Sequence, residues 1–368
     1  MERKKYLKFI NEIWPEARIE IEDVKPNQIV CQFNKNVFFA KQLELKLKRL
    51  HEHYSTNPEM IEKIKTLSNR NWAGAFSEIT TYDYFNLLLP FKCEIEVPVD
   101  KDKLLMKGEG IKLDGLLTNY ATYFEVKEFS NILPNLIEKL KRELSQDGEY
   151  KCYAIDCEYT SSINFESICD DNYKKLKNEV KETIKNKKTF LNSKNCKGLQ
   201  LKIHYEEQGL RISSWSSSNV YEQAAKLERL PLNKYHQFIE KGSFLKVFVA
   251  HNIFNENFTG LNPNIFCRAL ARRVFCKLTK EENIIDDKSN LLISFVAKKL
   301  GGLLFILDNS YQQLSSYDCK KPYSVYESYL YANPNADFDN RLICLKNLCY
   351  DFSKLNPYQI DDFEYDNY

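Results

Sequence analysis

The 368-residue chain contains no run of about 18 apolar residues, so no segment of it reads as a membrane-spanning helix. Its first twenty residues, MERKKYLKFINEIWPEARIE, lack the uninterrupted apolar stretch of a secretory signal, and the expected location is cytoplasmic. No CxxC pair occurs among the 11 cysteines. The nearest pairs, Cys152/Cys157 and Cys344/Cys349, are spaced too widely for the usual zinc knuckle, and an odd count scattered from Cys31 onward reads as reduced thiols. The 5 histidines form no HExxH set, and His51 and His53 of HEHY would point in different directions on a helix. KKLGGLL at 298–304 lacks the GK[ST] ending of a phosphate loop. GEG at 108–110 lacks the third glycine of a dinucleotide fingerprint, and HNIFNENF at 251–258 lacks the paired histidines of an HNH nuclease. A net charge of +2 excludes a protein that holds nucleic acid by bulk charge, so any such surface must be local.

What is present is core material: 43% of residues are hydrophobic and 13% aromatic, ample for one large domain or two ordinary ones. Residues 1–70 read as a mainly helical subdomain, with a short hairpin in ARIEIEDVKPNQIVCQF and amphipathic helices after it. NWAGAFSEITTYDYFNLLLPF predicts a helix from near Asn71 that Pro90 stops. Strands follow at 93–99, 110–118 and 122–129, then a helix in ILPNLIEKLKREL and a strand at 150–159 returning to the same sheet. Farther on, the pattern predicts a lysine-rich helix over about 172–192, a hairpin in LQLKIHYEEQGLRISSW and a helix at 220–241. It continues with a strand in FLKVFVAH, two helices, and a buried strand in GGLLFILD. The order implies an α/β chain with a mixed central sheet flanked by helices, spanning 71–310. Residues 311–368, rich in Tyr, Asn and Asp, read as a C-terminal appendage in which SVYESYLYA could offer a stacking surface or a protein contact.

Two of the predicted strands carry charges in their middle. In KLDGLLTNYATYFEVKEF, Asp114 lies on one strand and Glu125 and Lys127 on the next, although strand interiors are depleted in all three types. Alternation puts Glu125 and Lys127 on one face and Phe124 and Val126 on the other. A hairpin would bring Asp114 beside Glu125. Two carboxylates so placed suit a hard cation that keeps several waters, and a lysine two residues on can orient or help deprotonate an attacking water. That combination fits phosphodiester hydrolysis. Acid-x-Lys triplets are common in this chain (Glu2, Glu44, Glu149, Glu179 and Asp286 each begin one), so the context of an apolar strand with an acid on the strand before it distinguishes Glu125-Val126-Lys127.

Asp114, ten residues, then Glu125-Val126-Lys127, with Glu78 on the helix ahead, resembles the PD-(D/E)xK nuclease superfamily over about residues 71–145. The resemblance implies a restriction-endonuclease-like fold and a metal-dependent endonuclease. Asp114 and Glu125 would be its Mg²⁺ ligands, with Mn²⁺ able to substitute; Lys127 would serve the water, and Glu78 would be a supporting catalytic acid. Leu113 departs from the motif, standing where its proline often does. Asp83 is the rival to Glu78 on the same helix, and Asp156 and Glu158 read as ordinary strand charges. The implied activity is a Mg²⁺-dependent deoxyribonuclease acting on duplex DNA in restriction or phage defence, as a homodimer and away from membranes. A non-catalytic nucleic-acid-binding protein on the same fold, or an RNA or single-strand nuclease, is the alternative. In NYKKLKNEVKETIKNKKTFL, Lys174, Lys177, Lys181, Lys185 and Lys188 fall on one helical stripe, with Tyr173, Val180, Ile184 and Leu191 adjoining. Stacked like charges need a compensating partner, and a DNA phosphate backbone supplies one.

Overall fold

A computed structural model of the chain describes residues 2–69, 71–87, 89–98, 110–128, 140, 143–144, 153–159, 170–195, 199–205, 220–232, 243–251, 263–285, 291–310, 325–336 and 358–361. The N-terminal segment is helical: α1 (Glu2–Ile13), α2 (Gln28–Lys35), α3 (Val37–Tyr54), α4 (Pro58–Leu67) and α5 (Trp72–Asn86). Asparagine side chains start three of these helices. Asn27 accepts from the Val30 amide at 2.9 Å, Asn36 from Phe39 at 3.0 Å and Asn57 from Met60 at 2.8 Å, each satisfying an amide the first turn leaves open. The hairpin expected within residues 17–33 is therefore absent. Asn27 caps a helix instead, and Ile29, Val30 and Phe33 fall on its buried face.

The chain is mixed α/β. Seven strands form the main sheet in the order β1-β2-β3-β7-β8-β9-β10: β1 (Phe91–Pro98), β2 (Gly110–Leu117), β3 (Thr122–Glu128), β7 (Ser243–His251), β8 (Gly302–Asp308), β9 (Tyr326–Ala332) and β10 (Tyr358–Asp361). β1 pairs with β2 and β2 with β3 antiparallel, β3, β7 and β8 run parallel, β9 returns antiparallel to β8, and β10 runs parallel to β9. β7 and β8 are buried along their whole length, which is why both read as continuous apolar runs. α8 (Pro263–Arg272) and α9 (Ile293–Lys299) connect the later strands.

The observed organisation differs from the expected one in three respects. First, residues 1–70 are no separate subdomain, since Tyr6, Trp14, Leu47 and Leu67 share one core with Phe76, Phe124, Val247, Leu304 and Leu330. Second, SVYESYLYA is no appendage or stacking surface. It supplies β9, with Tyr326 and Tyr331 among the largest fully buried side chains. Third, the strand at 150–159 does not rejoin the main sheet: β4 (Tyr153–Tyr159) pairs with β6 (Leu199–Tyr205), which pairs with β5 (Phe190–Asn192), in a second sheet. The chain accordingly divides into a larger unit, 1–129 with 227–368, and a smaller one, 130–226, rather than at residues 70 and 310.

The smaller unit carries α6 (Asp170–Lys185); α7 (Val220–Leu227) spans the boundary. α6 ends seven residues earlier than the expected 192, because Lys187 turns left-handed (φ 53°) while the Lys187 and Lys188 amides fold back onto Ile184 and Thr183. Phe190 and Leu191 then extend as β5. Most of the helix expected in ILPNLIEKLKREL, the far half of the hairpin at 206–215, the helix beyond residue 232 and the HNIFNENF loop lie outside the described residues. Among the described residues no helix is long and apolar enough to cross a membrane.

Candidate active site

The β2–β3 ladder runs Leu117↔Thr122, Leu116↔Tyr123 and Gly115↔Phe124, then stops. The next rung would pair Asp114 with Glu125. Instead the Asp114 carboxylate reaches across and accepts from the Val126 amide at 2.6 Å. On the opposite side the β1–β2 ladder skips the same rung between Cys93↔Gly115 and Ile95↔Leu113, where Glu94 has φ 47°. A glutamate in the left-handed region within a strand costs about 1–3 kcal/mol, and such outliers gather at functional sites. Gly115 is required where it stands, since a Cβ there would collide with the Phe124 ring and come within 2.7 Å of the Lys92 carbonyl oxygen.

Alternation along β3 is as the sequence implied: Phe124 and Val126 enter the core, Glu125 is 6% exposed on the other face, and Lys127 is open to solvent. Asp114, Glu125 and Lys127 thus sit on adjacent strands where the sheet parts. Beyond Glu125, the same rung reaches Lys246 of β7, a lysine only 2% exposed within a wholly buried strand. Nothing in the apolar run FLKVFVAH marks Lys246 as more than a flanking charge.

Glu78 projects from α5, buried for the most part, and forms an ion pair with Lys63 of α4. Lys63 also holds Glu94 at 2.7 Å, and Lys112 pairs with the other oxygen of Glu94. Burial pushes the Glu78 carboxyl above its ordinary range; Lys63 opposes the shift, while Glu94 and Glu125 add to it by repulsion. Glu94 goes the other way: burial would raise it, but Lys112 and Lys63 together hold it low. Glu78, Lys63, Glu94 and Lys112 line a cleft of about 440 Å³ between α4, α5 and the first two strands, with Asn71 and Gly74 at its side; Asp114, Glu125 and Lys127 are not part of its lining. Neither Lys63 nor Glu94 was legible as part of a site, because their partners lie on other elements and no local spacing links them.

Asp83, the rival acid, has a different task. Itself fully buried, its carboxylate takes both Nε and an Nη of Arg49, at 2.8 and 2.7 Å, and accepts from the Tyr326 hydroxyl. If the site performs the phosphodiester cleavage that the resemblance implies, Glu78→Gln should slow it by at least about tenfold with little change in stability. Asp83→Asn should instead destabilise the fold by about 2–4 kcal/mol, because it leaves a largely buried arginine without its counter-charge. Parallel cleavage and urea-unfolding measurements on the two variants separate the roles.

A second polar cluster is fully buried at the far ends of β7 and β8. Lys46 donates to Asp308 at 2.8 Å and to Thr80 at 3.0 Å; His251 Nδ1 lies 3.3 Å from Asp308, and its Nε2 lies 3.0 Å from the Ser77 hydroxyl. The spacing is that of a serine, histidine and aspartate triad. Ser77, however, stands in the middle of α5 at 1% exposure, and none of the three lines the cleft beside Glu78. The cluster fastens α3 and α5 to the sheet. Glu128, at the end of β3, is half-buried; burial pushes its carboxyl up, eased by His251 and Lys127.

Metal fit follows from the donor chemistry. Among the described residues no group of three or more His, Cys, Asp or Glu side chains could hold an ion. Mg²⁺ does not need one, since it is commonly held by one or two carboxylates with waters and substrate phosphates completing the shell. Asp114 and Glu125 are two hard oxygen donors at one rung. One oxygen of Asp114 is engaged by the Val126 amide, and a carboxylate with about four lone-pair sites can still coordinate.

Of the lysine stripe, Lys174 and Lys185 are exposed on α6, and Lys177 is tied to Glu143 at 2.7 Å. Lys181 is half-buried, and Lys188 falls in the turn after the helix rather than on its stripe. Tyr173, Leu176, Val180 and Ile184 form the buried face. Glu179 accepts from Ser193, the Lys194 amide and Asn195, closing the loop that follows β5. Asp156 and Glu158 lie on β4 in the smaller unit.

No family model matches the chain, and no curated protein or solved structure matches it either.

Proposed function

We propose that the chain is a Mg²⁺-dependent deoxyribonuclease of the PD-(D/E)xK type, on a restriction-endonuclease-like sheet. The observation that carries the reading is the interrupted rung, where Asp114 leaves the ladder to bind the Val126 amide at 2.6 Å beside Glu125, with Lys127 on the same face of β3. A strand pair that opens at two carboxylates is costly unless the opening serves a ligand. Mg²⁺ there would stabilise the charge that builds on a phosphate under attack. Asp114 and Glu125 would hold the ion, Lys127 would position the attacking water and favour loss of its proton, and Glu78 would supply a further carboxylate from α5. Lys63 and Lys112 balance the charge of Glu78 and Glu94, so the cleft is not a bare field of repelling acids.

The family resemblance carries duplex DNA as substrate, Mn²⁺ as a substitute ion, a homodimer that cuts both strands, and a cytoplasmic role in restriction or phage defence. Purified protein incubated with plasmid, linear duplex, single-stranded DNA and RNA, each with Mg²⁺, Mn²⁺ or EDTA, tests the reading. Cleavage of plasmid and linear duplex with either ion supports it. Cleavage of RNA or single strands alone would reassign the substrate, and no cleavage of any would reject catalysis.

α6 supplies the local basic surface. Changing the exposed Lys174, Lys185 and Lys188 together to Glu is expected to weaken DNA binding and flatten the slope of log affinity against log salt by about 0.9 for each phosphate no longer neutralised. Lys177 is left alone because a glutamate there would face Glu143. Unchanged affinity and slope, measured by fluorescence anisotropy across a salt series, would show that DNA does not use this helix.

A further inference from the structure

Asp114 is a rung of neither the β1–β2 nor the β2–β3 ladder, and the Tyr82 hydroxyl donates to its carbonyl at 2.8 Å. Tyr82 is fully buried, with its ring stacked on Phe91 at 5.3 Å and set edge-on to Phe124 at 6.3 Å. Phe124 in turn lies over Gly115, the last residue before the ladder parts. Tyr82 follows Glu78 by four residues on α5, so both project toward the same strands. Asp114 is therefore fixed at two points: its carboxylate by the Val126 amide and its carbonyl by Tyr82.

We propose that Tyr82 is a positioning residue: its hydroxyl holds β2 parted from β3 at this rung and so sets the Asp114 carboxylate beside Glu125. The inference rests on the nuclease reading above for its consequence in catalysis, but the positioning itself is testable without metal. Packing alone would be served as well by phenylalanine, because both ring contacts survive the loss of the hydroxyl. Tyr82→Phe thus separates packing from positioning.

The test compares wild type with Tyr82→Phe by thermal melting, Mn²⁺ titration followed by electron paramagnetic resonance, metal-dependent cleavage, and the NMR resonance of the Val126 amide. The variant is expected to melt within about 5 °C of wild type, as suits the loss of one hydrogen bond. Its Mn²⁺ dissociation constant and the Mn²⁺ concentration for half-maximal cleavage should each rise about tenfold, with KM for DNA unchanged. The Val126 amide proton, drawn downfield by its short bond to a carboxylate, should move upfield. Wild-type values for the Val126 resonance and for Mn²⁺ binding in a folded variant would overturn the inference. Wild-type protein that binds no Mn²⁺ counts against the nuclease reading itself, and the Val126 resonance then decides the positioning alone, an unmoved signal overturning it. Should Tyr82→Phe fail to fold, exchange of the Tyr82 hydroxyl proton in wild type, read from the isotope shift on Cζ, takes its place. Slow exchange supports the bond to Asp114, and exchange at the rate of a free phenol overturns it.

Discussion

Asp114→Asn and Lys127→Ala should each lower the rate of DNA cleavage by at least about 10³-fold, the scale of losing a group that acts on transition-state charge. The two variants fail for different reasons. Lys127 is exposed, so alanine there removes no packed side chain, and Mn²⁺ binding and melting temperature should stay near wild type. Asp114 accepts from the Val126 amide and, on the proposed reading, would also be a metal ligand. Asparagine keeps an acceptor oxygen for that amide while removing the charge that would bind the ion. Alanine would also strand a backbone donor, at about 1–3 kcal/mol, and confuse a fold defect with a chemical one. Calorimetric titration with Mn²⁺ should therefore show weakened binding in Asp114→Asn and intact binding in Lys127→Ala. Full activity in either variant would remove these residues from the site.

Lys46→Met should be the most damaging substitution for the fold, costing about 3–5 kcal/mol. Lys46 and Asp308 are fully buried and 2.8 Å apart, and methionine would leave the Asp308 charge without its nearest cation. Burial alone would push the Asp308 carboxyl up, but Lys46 and His251 together hold it well below the usual carboxylate range. A carboxyl depressed on folding stabilises the native state above its unfolded value, about 3.9, and loses that contribution as pH falls toward the folded value. The stability gap between wild type and Lys46→Met should accordingly be full at neutral pH and narrow below about pH 4. Asp308→Asn combined with Lys46→Met should cost less than the sum of the singles, since removing both charges leaves neither stranded. Urea unfolding at pH 7 and pH 3.5 measures both effects. A loss under about 1 kcal/mol at neutral pH would mean the pair is not needed to hold α3 to the sheet.

Local patterns carried the reading of strands and acids. Period-two alternation located β2 and β3 within one residue and β1 within two, and the placement of Glu125 and Lys127 opposite Phe124 and Val126 follows from the same alternation. What escaped the sequence is long-range. Lys46 and Asp308 are 262 residues apart, and Tyr84 meets Ser328 across 244, so no window shows why those polar groups are buried. The hairpin expected in ARIEIEDVKPNQIVCQF gave way to turn and coil over residues 18–27 and, from the Asn27 cap onward, to α2, whose Ile29, Val30 and Phe33 are buried. The tyrosines of SVYESYLYA resembled surface aromatics because their burial depends on β8 being alongside. Tyr82, Lys63 and Glu94 joined the site through partners on other elements. Only Tyr82 left a trace, four residues beyond Glu78 on one helix face.

The central claim is that Asp114 and Glu125 bind an ion used to cut a phosphodiester bond. It is tested most directly by following cleavage of a labelled DNA duplex as Mg²⁺ is titrated into metal-free protein. The account predicts no cleavage without the ion, a rate that saturates with Mg²⁺, and complete reversal by EDTA. Cleavage that persists at the same rate in EDTA, or none at any Mg²⁺ or Mn²⁺ concentration, would contradict it.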